Sequence, residues 1–231
     1  MANLWYLSPS NQFENVGIGG YGTEGAQMNL LLDAVVEHLD RHGVDFHRAD
    51  RNTSLEERVA ESNRMGADWY LALHSNAGGN GRAWGPIAFH GGPGRSLAEG
   101  LVRELLATGQ NNNRASNVQD GSHLYEINRP DARSCLLEVD FHDSGTGVDF
   151  LLNRREDAAK AIARAIVITD GKKWSEPAVD DGASPWAKPY TEQAKALGLF
   201  LGDGSGYRWK DHVTREELAA VLIRLKEKLE A

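Results

Sequence analysis

Apolar residues follow two kinds of spacing over the first 171 residues: short runs typical of strands, and longer stretches with one apolar face typical of helices. The predicted strands are NLWYLSP, VDFHRA, ADWYLALH, WGPIAFH, GSHLYEI and SCLLEVDF, and the predicted helices are TEGAQMNLLLDAVVEHLDRHG, SLEERVAESNRMG, RSLAEGLVRELLATG and REDAAKAIARAIVITDG. Strands that alternate with helices in this way predict an α/β fold, a mostly parallel twisted sheet with helices on both faces.

The pattern changes after Gly171. Residues 172–186 contain charged residues, Pro, Gly and Ser without an apolar period, which predicts a linker. Residues 187–231 follow the order helix, glycine turn, helix, which predicts a small all-α module. The chain is therefore expected to have a main domain over 1–171, a linker over 172–186 and a module over 187–231. Because about 45 residues is close to the lower limit for independent folding, we expect the module to dock or pair, and the oligomeric state stays open.

Composition narrows the possible partners and compartments. The 231 residues carry a net charge of -8 and no cluster of Lys and Arg, which argues against nucleic-acid binding. One cysteine, Cys135, excludes an intramolecular disulfide. The sequence MANLWYLSPSNQ lacks an export signal and no apolar run is long enough to span a bilayer, so membrane insertion is not expected. We expect a protein made in the cytoplasm without a signal peptide.

Three residues stand where an α/β sheet binds ligands, at the carboxyl ends of strands and the start of the next helix. His74 ends the apolar strand in WYLALHSNAGG, Glu138 lies within the apolar run CLLEVDF, and Glu24 lies in a first helical turn. Each also has a simpler explanation: a hydrogen-bonded histidine, a salt-bridged glutamate and an acid that favours the helix dipole. Together, an imidazole and two carboxylates form a set typical of hydrolytic zinc sites.

The same residues carry a family resemblance over roughly Met1 to Gly171. SPSNQ...TEGAQMNLLLDAV, RVAESNRMGADWYLALHSNA and GSHLYEINRPDARSCLLEVDFHD, in that order, resemble the zinc-dependent N-acetylmuramoyl-L-alanine amidases of the type 3 family. The resemblance implies a Zn²⁺ enzyme that cleaves the amide between N-acetylmuramic acid and L-alanine in bacterial peptidoglycan. It implies that His74 and Glu24 are zinc ligands and that Glu138 is the catalytic carboxylate acting on a zinc-activated water.

One ligand of the family has no counterpart here. The family usually supplies a Gly-His pair after the first strand, where this chain has SPSNQ. Gln12 and His142 are equally weighted candidates for the third ligand, Asn11 is a weaker one, and water is a further alternative. Two other residues, Asn76 and Tyr125, are candidate substrate contacts.

Some further residues receive weaker predictions. Glu126, next to Tyr125, is expected to contact the peptide of the substrate. His38 and His42 are expected on an exposed helix face.

The C-terminal segment resembles a single S-layer homology motif, which implies binding of a cell-wall polymer. A catalytic domain, a linker and a wall-binding tail match the plan of a phage endolysin that acts on the wall after release through a holin pore. Two alternatives stay open: a zinc peptidase that attacks the stem peptide of peptidoglycan, and a catalytically inactive wall-binding protein that has lost a metal ligand.

Overall fold

The computed structural model describes residues 3–78, 80–175, 183–184, 186–201, 207, 209 and 211–230. It divides the chain into two compact units, 1–175 and 176–231, which are described separately. Much of the predicted linker falls on residues 176–182 and 185, outside the described residues.

The first unit is built on a six-stranded sheet with the order β2-β1-β3-β6-β4-β5. Its strands are β1 (Leu4–Pro9), β2 (Asp45–Arg48), β3 (Trp69–Asn76), β4 (Ile87–His90), β5 (Val118–Asp120) and β6 (Arg133–Phe141). The pairs β1–β2, β1–β3, β3–β6 and β4–β5 are parallel, whereas β4 and β6 are antiparallel. The predicted mostly parallel sheet is confirmed.

Helices cover both faces of the sheet. They are α1 (Glu24–Arg41), α2 (Leu55–Met65), α3 (Arg95–Ala107), α4 (Tyr125–Asn128), α5 (Gly145–Asn153) and α6 (Arg155–Thr169), with a short 3₁₀ turn at Gly92–Gly94. A capping box begins α2, since Ser54 and Glu57 exchange side-chain to backbone hydrogen bonds.

Alternation along β3 assigns its side chains to two cores. Trp69, Leu71 and Leu73 belong to the larger core, beneath α1, α3 and α6. Tyr70 and Ala72 belong to the smaller core on the other face. His74 continues the second series, so its ring lies on the face of the smaller core.

Two local predictions were wrong, and one helix was missed. GSHLYEI is not a strand: Gly121 accepts a backbone hydrogen bond from Leu124 in a turn, and the residues from Tyr125 form α4. Helix α5 was not predicted. His38 is not exposed, because α6 packs against α1 and Glu156 Oε1 lies 2.9 Å from His38 Nε2.

The second unit contains α7 (Lys188–Ala196) and α8 (Arg215–Leu229). A capping box formed by Thr214 and Glu217 begins α8. No residue of α8 is buried, and its apolar residues Leu218, Leu222, Ile223, Leu225 and Leu229 are exposed. Within the described part of the chain, no helix combines the length and apolarity needed to cross a membrane.

Candidate active site

His74 and Glu138 are neighbours across the centre of the sheet. They are register partners on the parallel strands β3 and β6, so their side chains point to the same face. Glu24 approaches from the first residue of α1, a helix that begins after Thr23, whose hydroxyl accepts a hydrogen bond from the Ala26 amide. The strand ends and the helix start thus bring the three predicted residues together.

The His74 ring lies between two carboxylates. Its Nδ1 is 2.8 Å from Glu24 Oε1 and its Nε2 is 2.9 Å from Glu126 Oε2, and all three side chains are buried. Burial opposes a charge on the ring, but the hydrogen bonds to Glu126 and Glu24 outweigh it and raise the pKa of His74 well above its usual value. The pKa values of both glutamates are lowered, because their hydrogen bonds with His74 outweigh the effect of burial.

Glu138 has a different environment from the other two glutamates. It is the one partly exposed residue between Ser134 and Phe141 on β6. Its Oε2 is buried and has no hydrogen-bond partner among the described residues. Burial, with the nearby charges of Glu24 and Glu126, raises the pKa of Glu138 to about 7 against the lowering effect of His74. A carboxyl group with this pKa exchanges its proton near neutral pH, as a general base does.

The loop after β1 brings amide groups to the Nδ1 side of His74. Gln12 Nε2 lies 3.4 Å from His74 Nδ1, and the side-chain oxygen of Gln12, Oε1, accepts a hydrogen bond from Asn15 Nδ2. Asn15 also donates to Glu24 Oε2 at 3.0 Å. Asn11 turns away, since its amide donates to the Thr53 carbonyl oxygen.

His142 belongs to a separate buried network. Its Nδ1 is 2.8 Å from Ser75 Oγ, which is 2.7 Å from the Tyr21 hydroxyl, and the Tyr21 ring stacks on His142. A bulge explains this position: His74 pairs with Glu138, but Asn76 pairs with Phe141, so β6 has one extra residue. Within the described residues, no hydrogen bond or ion pair joins His142 to His74 or Glu24. The structure therefore brings Gln12, and not His142, to His74.

The candidate substrate contacts have different surroundings. Asn76 ends β3, where its carbonyl oxygen accepts the backbone hydrogen bond of His142. Tyr125 is exposed at the start of α4, and the Arg129 guanidinium lies 5.9 Å from its ring centre. Glu126 is not a substrate contact, because its carboxylate is buried and bonded to His74, Ser8 and Tyr70.

Two groups on the Nδ1 side of His74 fit zinc, whereas the Gln12 amide beside them turns its nitrogen toward the ring and its oxygen toward Asn15. Imidazole and carboxylate, supplied by His74 and Glu24, are donor types that zinc prefers, and the amide of Gln12 is a weaker donor. In the ranges that the structure describes, no group of three or more His, Cys, Asp or Glu residues is arranged to hold a metal ion. The third place in this set is therefore left to an amide or to water.

Comparison with protein families identifies the chain. A family profile described as N-acetylmuramoyl-L-alanine amidase (amidase 3) matches residues 23–167, more than half of the sequence. The chain belongs to this amidase family. The match begins at Thr23 and so includes Glu24, His74 and Glu138, whereas Gln12 lies before it. The matched range therefore excludes the loop in which the expected Gly-His pair is missing.

The chain is also similar to known proteins in sequence and fold. The uncharacterized protein YqiI of Bacillus subtilis strain 168 is 26% identical over 171 residues, which cover 70% of this chain and 82% of YqiI. The amidase AmiC2 of Nostoc punctiforme has a TM-score of 0.67 at 20% identity, covering 74% of this chain and 98% of AmiC2. The catalytic domain of the CD27L endolysin targeting Clostridia difficile has a TM-score of 0.60 at 18% identity, and the match covers 76% of this chain and 100% of that domain. At these identities the two structures support the fold.

Proposed function

We propose that the chain hydrolyses the amide between N-acetylmuramic acid and L-alanine in bacterial peptidoglycan. The observation that carries this proposal is the grouping of Glu24, His74 and Glu138 around the central strands β3 and β6, in a chain of the N-acetylmuramoyl-L-alanine amidase family. The partly exposed Glu138 is the one residue of this group whose carboxylate has a free oxygen among the described residues.

We further propose that the enzyme uses zinc. Glu24 and His74 Nδ1 would hold the ion, with Gln12 as the third donor. When bound, zinc would act as a Lewis acid that polarises the scissile carbonyl and lowers the pKa of the attacking water. Glu138 accepts the proton of the water and returns it to the amine of the departing L-alanine. Burial raises the pKa of Glu138 to about 7 in the metal-free chain, and a cation bound nearby would lower it and favour the ionised form that accepts a proton.

Digestion of purified cell walls, followed by mass spectrometry of the fragments, tests this reaction. An amidase releases peptides with a free N-terminal L-alanine, whereas a stem-peptide peptidase cuts later in the peptide and an inactive wall-binding protein releases nothing. Glu138→Gln should abolish the release of peptides and keep the fold and the zinc content. Glu99→Gln, at an exposed residue paired with Arg95, is the matched control. Full activity of Glu138→Gln would exclude its role as the base.

We propose that the second unit binds a cell-wall polymer and that the whole chain acts as an endolysin. The support is the separate second unit and the exposed apolar residues of α8. In this proposal the protein is made in the host cytoplasm and reaches the wall through a holin pore. Co-sedimentation of residues 176–231, fused to a fluorescent protein, with purified walls tests the binding, and co-expression with a holin tests host lysis. A fusion that stays in the supernatant would contradict wall binding.

A further inference from the structure

We propose that Glu126 is a positioning residue of this site: it holds the His74 ring through Nε2 and so presents Nδ1 to Glu24. The proposal deepens the amidase assignment and rests on it for the catalytic consequence. The orientation of the ring itself does not depend on that assignment.

Both carboxylate oxygens of Glu126 are used within the protein. Oε2 lies 2.9 Å from His74 Nε2, and Oε1 accepts hydrogen bonds from Ser8 Oγ and the Tyr70 hydroxyl, each at 2.8 Å. Ser8 and Tyr70 stand on the neighbouring strands β1 and β3. Because two strands of the sheet fix one oxygen, the other oxygen has a defined place next to the ring.

A buried arginine ties this arrangement to the rest of the fold. Arg58 is fully buried and donates to Ser8 Oγ at 3.2 Å and to the Pro9 carbonyl oxygen. Its other donors bond the Asp50 carbonyl oxygen and the Thr53 hydroxyl. The hydroxyl that holds Glu126 is thus itself held by a charged group anchored at several points.

The two sides of the His74 ring differ in access. On the Nε2 side, Glu126 is 3% exposed and both Ser8 and Tyr70 are 0% exposed, so every group around Nε2 is buried. On the Nδ1 side, Glu24 is itself 2% exposed, but Gln12 next to Nδ1 and Asn15 next to the Glu24 carboxylate are both partly exposed. Glu126 therefore occupies the closed side of the ring, where it orients a ligand rather than being one itself. Carboxylates that orient a metal-binding histidine in this way are a recurrent feature of zinc sites.

Zinc affinity, measured by competition with a chromogenic chelator, tests the proposal. Glu126→Gln keeps the shape of the side chain and removes its charge, and Glu126→Ala removes the contact. We expect both to weaken zinc binding by about 10-fold to 100-fold. Tyr70→Phe is the matched control, since it removes a hydrogen bond to the same carboxylate without touching His74, and its loss should be below about 10-fold. Wild-type zinc affinity in both Glu126 variants would overturn the proposal.

A second measurement needs no metal and no activity. In metal-free protein the His74 Nε2 proton is held in a buried hydrogen bond and should give a downfield, slowly exchanging NMR signal. The signal should be lost in Glu126→Ala and kept in Tyr70→Phe, and its persistence in Glu126→Ala would overturn the proposal even if the wild type binds no zinc. Fragment analysis of walls digested by the wild type judges the amidase assignment separately. If Glu126→Ala loses the signal but the wild type releases no peptides from walls, the positioning role of Glu126 holds and only its consequence for catalysis is removed.

Discussion

Gln12 and His74 lie side by side, with the amide nitrogen of Gln12 3.4 Å from His74 Nδ1. The side-chain oxygen of Gln12 accepts a hydrogen bond from Asn15 Nδ2, which also donates to Glu24 Oε2. These bonds keep the amide nitrogen of Gln12 toward His74, so zinc binding through the Gln12 oxygen requires the amide to turn and to give up its bond with Asn15. The uncharged amide of Gln12 and the carboxylate of Glu24 therefore both lie on the Nδ1 side of the His74 ring, and Glu126 lies on the Nε2 side. The loop that lacks the expected histidine thus places the Gln12 amide next to His74.

Replacement of Gln12 should weaken or tighten zinc binding, depending on the residue that replaces it. Gln12→Ala removes a donor and is expected to weaken zinc binding by roughly 10-fold. Gln12→His supplies imidazole, a stronger zinc donor, and is expected to tighten it. Competition with a chelator measures both. His142→Ala is the comparison, and we expect no change in affinity because its Nδ1 faces Ser75. A loss of zinc in His142→Ala with none in Gln12→Ala would reverse the assignment.

The hydroxyl of Ser75 should stabilise the fold without affecting zinc. It joins the Tyr21 hydroxyl and His142 Nδ1 at 2.7 and 2.8 Å, and all three residues are buried. Ser75→Ala leaves two buried polar groups unpaired, so the free energy of unfolding should fall by about 1–3 kcal/mol. Urea unfolding measures this loss, with Ser96→Ala on the exposed surface of α3 as the control. An unchanged free energy of unfolding would show that water replaces the hydroxyl.

The positions of His74 and Glu138 could be predicted because side chains alternate regularly between the two faces of the sheet up to these residues in both strands. His74 follows Tyr70 and Ala72 at intervals of two, and the register pairs it with Glu138. The same alternation places His142 on the face of Glu138, four residues further on. The extra residue in β6 reverses the alternation, and a bulge of this kind leaves no mark in the pattern of apolar residues.

The position of Glu126 could not be predicted for another reason. In GSHLYEI the short apolar alternation suits a strand as well as a single helical turn, so its secondary structure was ambiguous. Its partners Ser8, Tyr70 and His74 lie 118, 56 and 52 residues away in sequence. An acidic residue in an otherwise apolar segment was the one available signal, because such a group needs compensating hydrogen bonds when buried.

Helix α5 depends on a glycine that lets it approach the end of β6. A Cβ added at Gly147 would lie 2.2 Å from the Phe141 carbonyl oxygen and 2.9 Å from the Phe141 amide nitrogen. Because backbone atoms cannot move aside as a flexible side chain does, Gly147→Ala should lower the free energy of unfolding by about 3 kcal/mol or more. Gly145→Ala is the matched control, since its Cβ would meet nothing within 4 Å. Equal thermal unfolding temperatures for the two variants would contradict this packing.

Asp170 should stabilise the first unit in a pH-dependent way. Its Oδ1 accepts hydrogen bonds from Asn3 Nδ2 at 2.9 Å and Trp5 Nε1 at 3.0 Å, and the Lys172 ammonium pairs with Oδ2. Burial alone would raise the pKa of Asp170, but these contacts outweigh it and lower the pKa below its usual value of 3.8. A lowered folded-state pKa means that the ionised carboxylate stabilises the fold above pH 3.8, and that this contribution is lost as the pH falls through the folded-state pKa.

Replacing Asp170 with asparagine isolates this contribution. Near neutral pH, Asp170→Asn should unfold more easily than wild type by about 1–2 kcal/mol, because hydrogen bonds to a charged acceptor are lost. The difference should shrink as the pH falls below 3.8, where the wild-type carboxylate is protonated in the unfolded chain and then in the folded one. Urea unfolding followed by tryptophan fluorescence measures it, with Asp131→Asn at an exposed position as the control. A difference that stays constant down to about pH 2 would mean that Asp170 acts through its shape and not through its charge.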